Sequence, residues 1–167
     1  MVALRTALDF PHLVERLARE GIMVVTQPGF IYHSGERYLS QVPANRLPWL
    51  YPIGSLKAAG VPLAFGSDAP VVPMNPLVGL YAAATRRAES GEVVLPNEAI
   101  GVEEALRMYT LGSAYASFEE ASRGSIEVGK RADLALLDGD PTTVTPEEVR
   151  DIRALMTVVG GEVVWEG

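Results

Sequence analysis

The sequence contains no cysteine, which excludes disulfides and thiolate metal sites together. Histidine is almost as scarce, at two residues in 167. No apolar run approaches the ~20 residues that span a bilayer, so no membrane partner is expected. Basic residues are outnumbered, 14 Lys and Arg against 21 Asp and Glu, for a net charge of -7. Without a basic stripe to neutralise phosphates, nucleic acid is not an expected partner either. No signal peptide opens the sequence, which makes a cytoplasmic address the default expectation.

What is present is a globular composition, 48% hydrophobic and 21% charged. A chain of 167 residues can form one domain with a core, but a complete (β/α)8 barrel takes about 250 residues. The organising stretch is Gly60-Val61-Pro62-Leu63-Ala64-Phe65-Gly66-Ser67-Asp68-Ala69-Pro70. Its apolar run is entered through a glycine and left through Gly-Ser-Asp, the pattern of a buried strand ending in a carboxylate. Buried parallel strands have no solvated face, and in α/β barrels the reacting groups stand where such strands end. Asp68 is therefore the first candidate for chemistry.

Residues 1–8 support no assignment. From Asp9 the pattern predicts a helix with Asp9 as cap, Pro11 in the first turn and Leu13, Val14, Leu17 and Ala18 on one face, closed by Gly21. Ile22 to Thr26 is β-branched and stopped by Gln27-Pro28, a second buried strand. Pro28 to Pro52 shows no sustained period and reads as a long binding loop or lid, in which Trp49, Tyr32, Tyr38 and Tyr51 could contact substrate, against the simpler reading that they pack the loop down. Ile53 to Ala59 predicts a short helix before the Asp68 strand, and successive helix-then-strand units imply a parallel sheet. Asn75-Pro76 starts a helix running to about Glu89, and Val102, Ala105, Leu106 and Tyr109 mark another reaching about Ala116. Beyond Glu120 the grammar changes. Residues 123–130 carry glycine turns around short strand-like pieces, Ala132 to Leu137 is a strand, and Thr157 to Trp165 is a hairpin on a Gly160-Gly161 turn. Thr145-Pro146-Glu147-Glu148 reads as a capped helical turn between them.

Gly66-Ser67-Asp68-Ala69-Pro70, then Arg123-Gly124-Ser125-Ile126-Glu127-Val128-Gly129-Lys130-Arg131-Ala132-Asp133-Leu134, then Val158-Val159-Gly160-Gly161, taken in order, resemble the C-terminal part of a metal-dependent amidohydrolase. Gln27-Pro28 and the Asn75-Pro76-Leu77 to Arg86 helix resemble more narrowly the amidohydrolase 3, or YtcJ-like, branch. The resemblance implies an α/β fold: the last two strands and helices of a (β/α)8 TIM barrel over residues 1–120, and part of a small β-sandwich over 121–167. It makes the strand at Ile22 the seventh and the strand at Val61 the eighth. Asp68 then falls on the family's strand-end aspartate, a metal ligand that also exchanges a proton with the attacking water. The implied cofactor is a divalent metal, zinc by preference. The family's His-x-His pair and its later histidines have no counterpart here. The sixth-strand histidine would fall near Arg5, and His12 and His33 match no ligand position.

These departures make the chain read as a C-terminal fragment of a hydrolase of non-peptide C-N bonds, inactive and binding metal weakly without its N-terminal part. Its partners would be a small-molecule substrate in the complete enzyme and the rest of the barrel or a second copy of itself. The alternative is a noncatalytic assembly module that kept the fold and lost the site. Arg86 and Arg87 could orient an acidic substrate, Arg86 being the first to test, against the simpler reading of both as solvated charges near a helix C-terminus. His33 could overhang the barrel mouth, against the simpler reading of a solvated loop histidine. Asp133 and Asp138 are expected to flank a strand.

Overall fold

The computed structural model describes residues 11–167. The expected Asp9 cap and the position near Arg5 lie outside the described residues. The first described helix, α1 (Pro11–Arg19), buries Val14, half-buries Leu13, Leu17 and Ala18, and ends where Gly21 takes a positive φ of 64°. Strand β1 (Val24–Thr26) and strand β2 (Leu63–Phe65) form a parallel pair with Val24 opposite Leu63 and Thr26 opposite Phe65. The ladder is extended at both ends, by Val24 N donating to the Pro62 carbonyl and Gly66 N donating to that of Thr26.

Between the strands the structure departs from the sequence reading. Helix α2 (Gly29–Gln41) occupies the first half of the expected long loop. Two glycines and weak periodicity disguised it, and one of those glycines explains itself in three dimensions. A Cβ on Gly35 would stand 2.7 Å from the Ala88 Cβ, so glycine here permits close approach of two backbones. A 3-10 turn (Leu47–Trp49) and helix α3 (Ile53–Ala58) follow, and α3 buries Ile53 and Leu56 before the chain enters β2.

Helix α4 (Pro76–Thr85) begins as its residues dictate: the Asn75 side-chain oxygen accepts from Leu77 N at 3.0 Å and Pro76 takes the first position. Its buried residues lie on nearly every side, from Leu77 through Ala83, so it runs through the core. It also stops four residues earlier than its sequence pattern suggests. Arg86 adopts a left-handed φ of 57°, and a tight reversal joined by an Arg87–Val93 bridge follows. Helix α5 (Val102–Arg107), a π-helical segment (Met108–Gly112) and helix α6 (Ser113–Ala116) make one continuous helical stretch.

The π-helical segment packs directly on β2. Ser113 Oγ donates to the Phe65 carbonyl at 2.8 Å, and a Cβ on Gly112 would collide with the Leu63 carbonyl oxygen. Because the obstacle is backbone, it cannot rotate aside. Gly112→Ala is expected to cost about 1–3 kcal/mol, read as a lower urea midpoint at unchanged slope.

The C-terminal segment forms an antiparallel sheet of β3 (Leu134–Leu137), β4 (Ala154–Val159) and β5 (Glu162–Glu166). Gly160 and Gly161 both take positive φ, the geometry a two-residue hairpin turn demands. Asp133 Oδ1 accepts from Gly160 N and Asp138 Oδ1 accepts from Arg153 N, each at 2.8 Å, so both aspartates brace strands. Residues 123–130, expected to hold strand-like pieces, are turns and bends, because the glycines there set the backbone and no neighbouring ladder pairs with it. The sheet joins the rest through Val149 and Ile152, which enter the same apolar cluster as Val24, Leu63 and Leu80. No described helix is long and apolar enough to cross a membrane.

Candidate active site

Asp68 stands two residues past the last ladder bond of β2. Its backbone is left-handed, φ 60°, and its carbonyl accepts from Val71 N at 3.0 Å. Ser67 Oγ accepts from Ala69 N at 3.2 Å, so the turn is held from both sides of Asp68. The Asp68 side chain itself is exposed, and among the described residues none donates a hydrogen bond to its carboxylate. A non-glycine residue in this region of backbone space is uncommon, and such positions concentrate where function over-determines geometry.

The two histidines do not complete a metal site here. His12 is on the exposed side of α1. His33 belongs to α2, not to a loop: it lies edge-on to Tyr32 at 5.0 Å and lines a shallow depression of about 270 Å³ with Ser34, Glu36, Arg37 and Glu89. Among the described residues no group of three or more His, Asp or Glu side chains is placed to hold a metal ion. A divalent site takes three or four protein donors, so the described residues do not by themselves fit one.

Arg86 corrects the sequence reading most sharply. It is neither a solvated charge nor turned outward to a ligand, but fully buried. Nε donates to the Val94 carbonyl at 2.9 Å, Nη1 to that of Tyr51 at 3.0 Å and Nη2 to that of Leu50 at 3.3 Å. Burial pushes its pKa down to about 10, opposed by the nearby Glu98 carboxylate, so it remains cationic at neutral pH. Glu98 is buried in turn and accepts from Ser55 N at 2.8 Å and from Ser55 Oγ at 2.5 Å. The left-handed turn that ends α4 is what aims the guanidinium inward.

The sequence leaves Tyr51 between a substrate contact and a packing anchor, and its environment is visible only in the structure. Its ring stacks on Phe30 with centroids 6.3 Å apart, and its hydroxyl meets that of Tyr38 at 3.2 Å. Burial, the Tyr38 hydroxyl and then the Asp68 charge raise the Tyr51 phenol far above its ordinary range, with Arg37 opposing. Only the aromatic cluster around Trp49 hinted at this, because a left-handed tyrosine has no local signature.

The sequence matches the amidohydrolase family over residues 2–165. An N-substituted formamide deformylase from Arthrobacter pascens is 37% identical over 153 residues, covering 91% of this chain and 28% of the deformylase. YtcJ of Bacillus subtilis, named as an amidohydrolase, is 33% identical over 157 residues, covering 92% of this chain and 30% of YtcJ. A metal-dependent hydrolase from Pyrococcus horikoshii shares the fold with a TM-score of 0.71 at 28% identity, over 83% of this chain and 28% of that structure. The chain thus spans less than a third of the length of each of them. With nearly every residue inside the match, the chain belongs to the amidohydrolase family.

Proposed function

We propose that this chain is the C-terminal part of a metal-dependent hydrolase of non-peptide C-N bonds, with Asp68 as a metal ligand and proton carrier. In this reading β1 and β2 are the seventh and eighth strands of a (β/α)8 barrel, and 121–167 contribute part of a small β-sandwich. The carrying observation is the placement of Asp68, exposed and unpaired among the described residues, just beyond the C-terminal end of a parallel strand. That end of the strands is where a barrel collects its reacting groups. A free carboxylate there can take a proton from water at one oxygen and return it to the departing nitrogen. A divalent cation, zinc in this reading, would be held in part by Asp68 and would polarise the scissile carbonyl, with its other donors expected from the rest of the barrel.

Two features of the fold support dependence on further strands. Parallel sheets are ordinarily covered on both faces, yet Val25 in β1 is about half exposed, at 52%. The β3–β5 sheet likewise leaves Leu136, Val163 and Trp165 open. Such surfaces call for the remainder of the barrel and sandwich, or for a second copy.

The test is co-expression with the portion of the Arthrobacter pascens deformylase that lies outside its aligned 153 residues. A purified complex should release formate from an N-substituted formamide, whereas the 167-residue chain alone should not. Hydrolysis by the chain alone, lost on chelation, would overturn the dependence on further strands. A stable complex with no hydrolysis would favour the noncatalytic assembly module.

A further inference from the structure

Tyr51 and Arg86, two non-glycine residues with left-handed backbone, are tied together by the Arg86 Nη1 bond to the Tyr51 carbonyl. Arg86 grips the carbonyls of Leu50 and Tyr51, which fixes the Tyr51 backbone at φ 49°. The Tyr51 ring is thereby set against Phe30, in the first turn of α2 directly after β1, so the aromatic group stands at the strand end that carries Asp68. Tyr38 adds a second ring, 5.8 Å from that of Tyr51, and the hydroxyl contact.

Two hydroxyls that bond to each other spend one proton between them and keep the other. Among the described residues no further acceptor engages either hydroxyl, and Phe30, Tyr38 and Tyr51 are all only partly buried. An apolar ring surface with one unspent donor is the combination by which a small-molecule site fixes an amphipathic ligand.

We propose that Phe30, Tyr38 and Tyr51 form a recognition wall beside Asp68 that selects ring-bearing amides. The Phe30–Tyr51 stack takes the ring, the spare tyrosine O–H donates to a polar atom of the amide, and Arg86 is the positioning residue that holds Tyr51 in place. The inference rests on the hydrolase reading for the direction in which the amide faces Asp68.

The experiment needs neither metal nor turnover. The 167-residue chain is labelled with 13Cζ-tyrosine, its Tyr38 and Tyr51 signals are assigned through Tyr38→Phe and Tyr51→Phe, and benzamide is titrated in, with acetamide as the ringless comparison. Benzamide is expected to move the Tyr38 and Tyr51 signals saturably and acetamide to leave them in place. The signal of Tyr115, exposed on α6, should not respond. The double variant Tyr38→Phe/Tyr51→Phe, which removes both hydroxyls, should weaken benzamide binding about fivefold, the worth of one hydrogen bond. Signals that stay put, an equal response at Tyr115, or full-strength binding by the double variant would each overturn the wall. A normal benzamide response alongside a complex that hydrolyses nothing would instead overturn the hydrolase reading and leave the wall standing.

Discussion

Asp68→Asn should lower kcat of the co-expressed complex about 10³-fold, within the range a positioned acid–base group contributes, while the complex still assembles. Asparagine keeps the size and shape of aspartate and tolerates left-handed backbone well, so the turn at φ 60° survives the change. No hydrogen bond or ion pair is lost with the charge, because none of the described residues is bonded to the carboxylate. Unfolding of the isolated chain should accordingly shift by no more than about 0.5 kcal/mol, the usual scale for an exposed substitution. The amide can neither take a proton from water nor return one to nitrogen, and the loss should fall on kcat. A variant complex that turns over at the wild-type rate would show that Asp68 is a turn residue and nothing more.

Arg86→Met should do the opposite, with a large loss of stability at a position away from the reacting group. Removing the guanidinium strands the carbonyls of Val94, Tyr51 and Leu50 inside the fold, and buried acceptors without donors are costly. The expected loss is about 3–5 kcal/mol, at the high end for single substitutions, read from the urea midpoint. Arg86→Lys keeps the charge but not the planar fork, and about half of the loss should remain. The pH dependence has a defined sign. Burial lowers the Arg86 pKa to about 10, below the ordinary arginine range, so the unfolded chain holds more protons only above about that pH. There, rising pH relieves the cost of the buried charge; below pH 10 the group is protonated in both states. The stability gap between wild type and Arg86→Met should therefore be flat through the neutral range. A gap that changes between mildly acid and mildly alkaline conditions would assign the effect to some other group.

Local chemistry was legible where one residue type answers one local need. Asn75-Pro76 opens α4 because a side-chain acceptor and a missing N–H both suit a helix start. Gly160-Gly161 turns the hairpin because both positions take positive φ. The apolar run that ends in Gly-Ser-Asp became β2 with Asp68 beyond it, since a strand without a polar face has to be buried.

The failures share a cause as well. Helix α2 hid behind Gly29 and Gly35, residues that argue against a helix until the approach of Ala88 explains one of them. Arg87 was correctly read as an exposed charge, while its neighbour Arg86 went inside; nothing in the pair of letters separates them. What separates them is that α4 ends in a left-handed residue facing three carbonyls from segments 8, 35 and 36 positions away along the chain.

The sequence by itself determined the elements whose stability is settled within a few neighbouring residues, together with the position of Asp68 at a strand end. Only the tertiary structure decided that Arg86 is an internal clasp, that His33 rides on a helix, and that Phe30, Tyr38 and Tyr51 converge. Those outcomes depend on which backbone carbonyls and ring faces are left unsatisfied after the helices and strands have packed, a quantity that exists only once distant parts of the chain have met.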